Sequence, residues 1–317
     1  MLKNIVLPLL LSFLVAAISG VFIIPKLREL KFGQTVRDEG PQSHLSKNGT
    51  PTMGGIMIIL GILFSTVLFG GLNYNTLILL ISTLGFGLVG FLDDYIKVVK
   101  RRSLGLTAKQ KIVIQVLFAT LIPLSQYINN PSCANLIVPF VEETLSLGIL
   151  YVPFMAFVLI GTVNAVNLTD GLDGLSSTVT VIVGIFFAII SMNVGFGEMS
   201  VFSVSVIGAC LGFLIYNKYP AKVFMGDTGS MALGGAVVGM ALLTNSVLMI
   251  PIVGGIYFAE ALSVIIQVAS FKMTGKRVFK MAPIHHHFEQ CGYEEVKVVN
   301  LFTGISIILL IIGLIAM

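Results

Sequence analysis

Residues 48–92 read NGTPTMGGIMIILGILFSTVLFGGLNYNTLILLISTLGFGLVGFL, without one Asp, Glu, Lys or Arg. A helix that crosses a bilayer needs about 20 predominantly apolar residues. The stretch is too long for one such helix and long enough for two. Gly70-Gly71 and Asn73-Tyr74-Asn75 punctuate it, which predicts spans over about 52–71 and 75–92.

The same reading extends outward. Residues 5–24 carry no charge and end at Pro25. A secretory signal would have an apolar region of about 7–15 residues and a small-residue cleavage site, so this run reads as an uncleaved span. Further spans are predicted over about 112–127, 148–167, 177–195, 200–217, 230–246, 247–271 and 298–317. The fold class is therefore an all-α polytopic membrane protein of ten transmembrane helices, one integral membrane catalytic domain over 1–317. Composition agrees. Of 317 residues, 56% are hydrophobic and 11% charged, against about 25% charged in a soluble domain, and the mean hydropathy is +0.98. A soluble enzyme, a disordered chain and a fibrous one are excluded. The net charge of +4 does not point to nucleic acid. Cys133, Cys210 and Cys291 form no CxxC pair, so neither a disulfide framework nor a thiolate metal site is implied.

With ten helices the loops alternate sides. One set (25–51, 93–111, 168–176, 218–229 and 272–297) holds 5, 6, 0, 2 and 5 Lys and Arg, 18 of the 19, while the other set holds only Lys3. The positive-inside rule makes the first set cytoplasmic and places both termini outside. All six Asp (38, 93, 94, 170, 173, 227) and all four His (44, 285, 286, 287) fall on that cytoplasmic side.

Five polar strings stand there. FLDDY ends the third span, and Asp93 and Asp94 repel unless a cation offsets them. Neighbours on a helix point about 100° apart, so one can ligate while the other orients or accepts a proton. A solvated helix end is the plain alternative. In NAVNLTDGLDG, Asn167, Asp170 and Asp173 recur every three residues, near one face of a helix. No local Lys or Arg balances them, which points to a bound cation or a substrate donor rather than a polar turn. In FMGDTGS, glycines flank Asp227, and Thr228 or Ser230 can cap the next helix, whose N-terminus suits a phosphate. A capped turn is the plain reading. MAPIHHHFE has three adjacent imidazoles but no Cys partner and no HExxH spacing, so phosphate or carboxylate binding is preferred to zinc. KNGTPTMGG is a Gly/Pro turn with Lys47, Thr50 and Thr52, again suited to an anion or simply flexible. Lys272, Lys276 and Lys280, interleaved with Phe271, Met273, Val278 and Phe279, predict a short helix lying at the interface, or ordinary positive-inside anchoring. Glu260 is the one acid deep in a predicted span, a functional candidate by default. It pairs with a neighbouring helix or marks a break beside Gly254-Gly255, and its role stays open.

Clustered carboxylates with lysines and no thiolates suit Mg²⁺, which takes one or two carboxylates plus substrate phosphates. Phosphoryl transfer at the bilayer surface follows, between a soluble phosphorylated donor and a lipid acceptor. Rival readings are an intramembrane aspartyl protease and a cation-coupled transporter. The first wants GxGD, and Phe224 stands three before Asp227. The second places its site at the midplane.

In their order, GTPTMGG, FLDDY, NAVNLTDGLDGL, FMGDTGS and MAPIHHHFE resemble the phospho-N-acetylmuramoyl-pentapeptide transferase family, within the superfamily of polyprenyl-phosphate hexosamine-1-phosphate transferases. The DD and NxxD motifs are shared across the superfamily, while MAPIHHHFE and GTPTMGG are narrower. The resemblance implies transfer of phospho-MurNAc-pentapeptide from UDP-MurNAc-pentapeptide to undecaprenyl phosphate, giving the first lipid-linked peptidoglycan intermediate and UMP, with another member of the superfamily as the alternative. It implies a bacterial plasma membrane location, a role in cell-wall synthesis, a cytoplasmic active face and a homodimer. It implies that Asp227 binds Mg²⁺ with Asp170 beside it, and that Asp93, Asp94 and His285 act at the reacting centre. Asn167, Asp170 and Asp173 would hold nucleotide and sugar-phosphate. Phe224 would stack on uracil, with Lys47, Thr52, Asn217 and Gln267 near the nucleotide. Lys97 and Lys109 would neutralise phosphates, and His285, His286 and His287 would face the donor's diphosphate.

Overall fold

The computed structural model describes residues 2–30, 47, 49–99 and 105–317. Asp38, His44, Lys31, Arg37, Lys100, Arg101 and Arg102, which enter the charge partition, lie outside the described residues. Among the described residues there are twelve α-helices: α1 (Leu2–Glu29), α2 (Gly55–Gly70), α3 (Tyr74–Val99), α4 (Ala108–Asn129), α5 (Tyr151–Thr169), α6 (Leu175–Asn193), α7 (Gly197–Asn217), α8 (Gly226–Leu243), α9 (Ile250–Val253), α10 (Gly255–Thr274), α11 (Ile284–Gln290) and α12 (Glu295–Ile315). Nine are long and apolar enough to cross a membrane, and α2, also apolar, has 16 residues. This is a polytopic membrane protein. A helix lies within each of the ten expected segments, nine of them long enough to cross and α2 shorter.

The differences from expectation lie at the ends and breaks. A small antiparallel hairpin, β1 (Asn135–Ile137) and β2 (Thr144–Ser146), occupies the loop between α4 and α5, so the fold is not purely helical. The expected 247–271 span is a 3₁₀ turn, then α9, a break at Gly254, then α10. The expected interfacial helix at 271–280 is absent. The helix α10 carries Lys272 in its last turn and stops at Gly275, whose φ of +69° suits glycine. Lys276 and Lys280 follow on an irregular segment.

The helix α8 is the hub. Its residues from Thr228 to Leu242 are buried, and its sequence GSMALGGAVVGMALL explains how. Lipid tails are as apolar as leucine, so helices in a bilayer associate through close packing of small residues. At Gly235 a Cβ would overlap the Ser82 carbonyl of α3, and Ser82 Oγ donates back to Gly235 O at 2.7 Å. At the far end of the same seam, a Cβ on Gly90 would overlap the Asp227 carbonyl. The helices α2, α5, α6 and α7 also pack on α8, while α1 lies along α7 and α12 against α6. The helices α1, α4, α10 and α12 turn rows of apolar side chains outward, for example Phe22, Val113, Ile265 and Ile308, as a lipid-facing shell requires.

Gly235→Ala is expected to destabilise the protein by about 1–3 kcal/mol, the usual range for overpacking. Gly161→Ala, at an α5 position with open space around it, should leave stability unchanged or raise it slightly. Thermal unfolding in detergent distinguishes them, and equal melting temperatures would refute the seam.

Candidate metal and phosphate site

Three acids meet where α3 and α8 touch. One carboxylate oxygen from each of Asp93, Asp94 and Asp227 lies within 4.8 Å of the others. The DD pair does not end its helix as expected. The helix α3 runs on to Val99, which brings Lys97 onto the same side at i+4 and i+3. Lys97 Nζ stands 2.6 Å from Asp93 Oδ2, 3.2 Å from Asp227 Oδ2 and 3.8 Å from Asp94 Oδ1. Lys111 of α4 adds a second ammonium 2.7 Å from Asp227 Oδ2.

The opposite oxygen of each acid is pinned by a neutral donor. The Leu106 N–H donates to Asp93 Oδ1 at 2.8 Å. The N–H and Oγ1 of Thr228 donate to Asp94 Oδ2 at 2.8 and 2.7 Å. Asn167 Nδ2 donates to Asp227 Oδ1 at 2.9 Å and to Ser230 Oγ at 2.8 Å. Each carboxylate is thus held in orientation from behind while its other oxygen turns to a shared point. Outer partners of this kind fix ligands for a metal. Three hard oxygens with two lysines nearby suit a small divalent cation together with phosphate, so the donor set fits Mg²⁺.

Asp227 lies in the first turn of α8, not in a loop before it. No side chain caps this helix, contrary to the expectation for Thr228 or Ser230, because the helix already begins at Gly226 and both lie inside it, where their hydroxyls bond to Asp94, and to Asn167 and the Gly226 carbonyl. Gly226, at φ +73°, must be glycine. A Cβ there would stand 2.6 Å from Asp94 Oδ2 and 2.8 Å from Thr52 Oγ1. Backbone bonds from Phe224 N to Pro51 O (2.8 Å), Gly54 N to Phe224 O (2.9 Å) and Gly55 N to Met225 O (2.9 Å) join the 51–55 turn to the start of α8. This places buried Thr52 at the acids, while Phe224, half-buried, stands three residues before Asp227.

The expected single helical face for Asn167, Asp170 and Asp173 does not form. The helix α5 ends at Thr169, and Gly174 at φ +78° reverses the chain into α6. Asp170 and Asp173 stand on the resulting turn. Burial, then the carboxylates of Asp227, Asp94 and Asp173, push the Asp170 carboxyl well above its ordinary pKa. Among the described residues no hydrogen-bond donor reaches its carboxylate, so it faces the acid cluster uncompensated, although it is not one of the three converging groups.

Asp173 is tied on all sides. Lys47 Nζ lies 2.7 Å from its Oδ1 and 2.6 Å from Glu295 Oε1. The Ala221 N–H donates to Asp173 Oδ2 at 2.9 Å, and the Asp173 N–H donates to Glu295 Oε1 at 2.7 Å. Burial alone would lower the Lys47 pKa, but its bonds to Asp173 and Glu295 outweigh that and raise it. Asn217 brackets the same turn, accepting from Gly174 N at 3.1 Å and donating to Val223 O at 3.0 Å.

The histidines divide. His285 is buried against the acidic turn, since a Cβ on Gly171 would overlap its Nε2. His286 Nδ1 is 2.7 Å from Glu289 Oε2. His287 Nδ1 accepts from Lys280 N at 3.2 Å, and Gln267 accepts from Val278 N and Phe279 N at 3.0 and 2.9 Å. His287 and Gln267 therefore shape the 276–283 segment with their own side chains.

Lys109 is exposed near the start of α4, and Lys111 is the lysine that reaches Asp227. A signal for this existed. Lys111 begins the series 111, 115, 119, 122, 126, whose later members Gln115, Ala119, Ile122 and Gln126 are buried. Two glutamines inside a span mark the protein-facing side, and Lys109 sits about 200° away from it. Glu295 had no distinguishing signal, since an acid in a first helical turn is ordinary.

A sequence profile described as Glycosyl transferase family 4 matches residues 76–245, and one described as Phospho-N-acetylmuramoyl-pentapeptide-transferase signature 1 matches residues 47–59. The chain is 56% identical to a phospho-N-acetylmuramoyl-pentapeptide-transferase of Clostridioides difficile (strain 630), over 97% of this chain and 96% of the relative. It is 52% identical to one of Clostridium botulinum (strain Alaska E43 / Type E3), over 98% and 95%. It is 51% identical to one of Caldanaerobacter subterraneus subsp. tengcongensis, over 99% and 98%.

Mn²⁺ should bind the purified protein, and Thr228→Val should weaken that binding about tenfold, the lower end for an outer partner, because the backbone N–H still holds Asp94. Mn²⁺ titration by electron paramagnetic resonance tests this. Unchanged affinity in Thr228→Val would remove Asp94 from the metal set.

Proposed function

The chain belongs to the phospho-N-acetylmuramoyl-pentapeptide-transferase family, and on that premise we propose how its residues form lipid I from UDP-MurNAc-pentapeptide and undecaprenyl phosphate. The observation that carries the proposal is the convergence of Asp93, Asp94 and Asp227 on Lys97, with Lys111 beside them. An oxygen of undecaprenyl phosphate attacks the phosphorus that carries MurNAc. The new P–O bond forms as the bond to UMP breaks, and UMP leaves with the electron pair. Mg²⁺ held by Asp227, with Asp93, Asp94 and Asp170 around it, would offset the charge of the donor diphosphate.

The chain's own groups do the rest. Lys97 and Lys111 exchange part of their pairing with the acids for phosphate oxygens, spreading the charge that develops in transfer. Asp93 or Asp94 positions the lipid phosphate or takes its proton. Asn167 keeps Asp227 in orientation. The turn bearing Asp170 and Asp173 receives the sugar-phosphate, with His285 and His286 on the diphosphate side. Phe224 offers its ring to uracil, with Thr52 and Lys47 near the nucleotide. Asn217, Gln267 and His287 act here as supports, since their side chains already bond to backbone.

The lipid acceptor requires the site to lie at a bilayer edge, and the Lys and Arg partition supports the cytoplasmic edge of a bacterial plasma membrane, with both termini outside.

The purified protein should release UMP from UDP-MurNAc-pentapeptide only with a polyprenyl phosphate and Mg²⁺, and UDP-GlcNAc should not replace the donor. Asp227→Asn should lower turnover at least about 100-fold with its melting temperature retained. Full activity in excess EDTA would overturn the metal assignment, and equal use of UDP-GlcNAc would move the chain's substrate to another branch of the superfamily.

A further inference from the structure

Glu260 is fully buried in α10, six residues beyond the break at Gly254. An ionisable group inside a span is expensive and is retained for pairing or function. Its carboxylate meets a residue from outside its own helix. His285 Nδ1, in the first turn of α11, lies 3.0 Å from Glu260 Oε1, and the His285 N–H points to Oε2 at 3.4 Å. Ser263 Oγ donates to the Glu260 backbone carbonyl at 2.7 Å, fixing that turn of α10.

The other side of the His285 ring matters as much. Its Nε2 is buried and has no hydrogen-bond partner among the described residues, and Nδ1 and Glu260 Oε1, although 3.0 Å apart, are in contact by distance without hydrogen-bond geometry. It rests against Gly171, where only the lack of a side chain leaves room. Gly171 lies between Asp170 and Asp173, on the turn that faces the acid cluster. A buried polar atom without a partner is costly, and this one borders the place where the proposed function puts the donor's sugar-phosphate.

We propose that Glu260 is a positioning residue for the transfer reaction. It holds the proton of His285 on Nδ1, as a carboxylate orients an imidazole in other sites, and presents the Nε2 lone pair at the Asp170–Gly174 turn, to accept a hydrogen bond from a hydroxyl of the donor's sugar. The inference rests on the function proposed above. It gives the one deep acid of the chain a task exercised through His285, not by contact with substrate. It also explains why an imidazole, not a simple cation, occupies the spot. The ring spans from the membrane-embedded carboxylate to the acidic turn with a nitrogen at each end.

The test uses the full chain in detergent, with UMP release at saturating polyprenyl phosphate and Mg²⁺. Glu260→Gln should lower kcat about 10–100-fold, with the KM for UDP-MurNAc-pentapeptide changed less than about threefold and the melting temperature within a few degrees of wild type. Combined with His285→Gln, it should slow the enzyme no further than His285→Gln alone, because residues that act as a unit are non-additive. Wild-type kcat in Glu260→Gln, or full additivity with His285→Gln, overturns the positioning role. A second measurement needs no variant to fold. In ¹⁵N-histidine-labelled wild type, the His285 signals should show a proton on Nδ1, and a ring protonated on Nε2 alone overturns the proposal. A wild-type protein that releases no UMP overturns the functional reading instead, and the nitrogen spectrum still reports whether Glu260 holds the ring.

Discussion

The helix α3 approaches α8 so closely at Gly90 that the backbone around Asp227 fills the space a Cβ would need. That contact brings Asp93 and Asp94, the next turn of α3, against Asp227. Three carboxylates at this separation, two of them buried, repel strongly. The arrangement stands because Lys97 and Lys111 enter among them and because neutral donors pin the outward oxygens. Loss of either lysine leaves buried negative charge without its partner, a loss of several kcal/mol when no other ion takes its place. The site is thus an electrostatic balance imposed by a steric contact. The contact exists because two helices in lipid gain most where their side chains are smallest.

Around that centre the acidic turn 170–174 is held from distant parts of the chain. Lys47 reaches it from before α2, Asn217 from the end of α7, Glu295 from the start of α12 and His285 from α11. None of these supports is local in sequence. A turn with two glycines has little conformational preference of its own, so its shape is borrowed from its neighbours. For a phosphoryl transfer, where positioning and charge placement supply most of the rate, such preorganisation is where the binding groups acquire their geometry.

The spans were legible because bilayer thickness sets a length that apolar runs must meet. Even the awkward boundary at 244–246 resolved into two elements. Asp93, Asp94 and Asp227 were each conspicuous because charges are so rare in this chain, while their grouping with Lys97 was implied by the family resemblance and not by spacing. The choice of Lys109 over Lys111 shows the limit. Both are lysines near a helix start, and two residues of helical rotation decide which one faces inward. Glu295, Thr228 and Leu106 were hidden for a different reason. Each acts through a bond to a residue over 100 positions away or, for Leu106, through a backbone N–H that any residue carries.

By itself the sequence determined that this chain is a polytopic membrane protein and roughly where its apolar helices run. Those properties follow from transfer free energies that each segment carries alone. Only the tertiary structure decided which acids converge, that Asp170 and Asp173 ride a turn and not a helix face, and that Glu260 reaches His285. Those depend on the angles and depths at which helices pack, and these are set by contacts between glycines and backbones that no single segment contains.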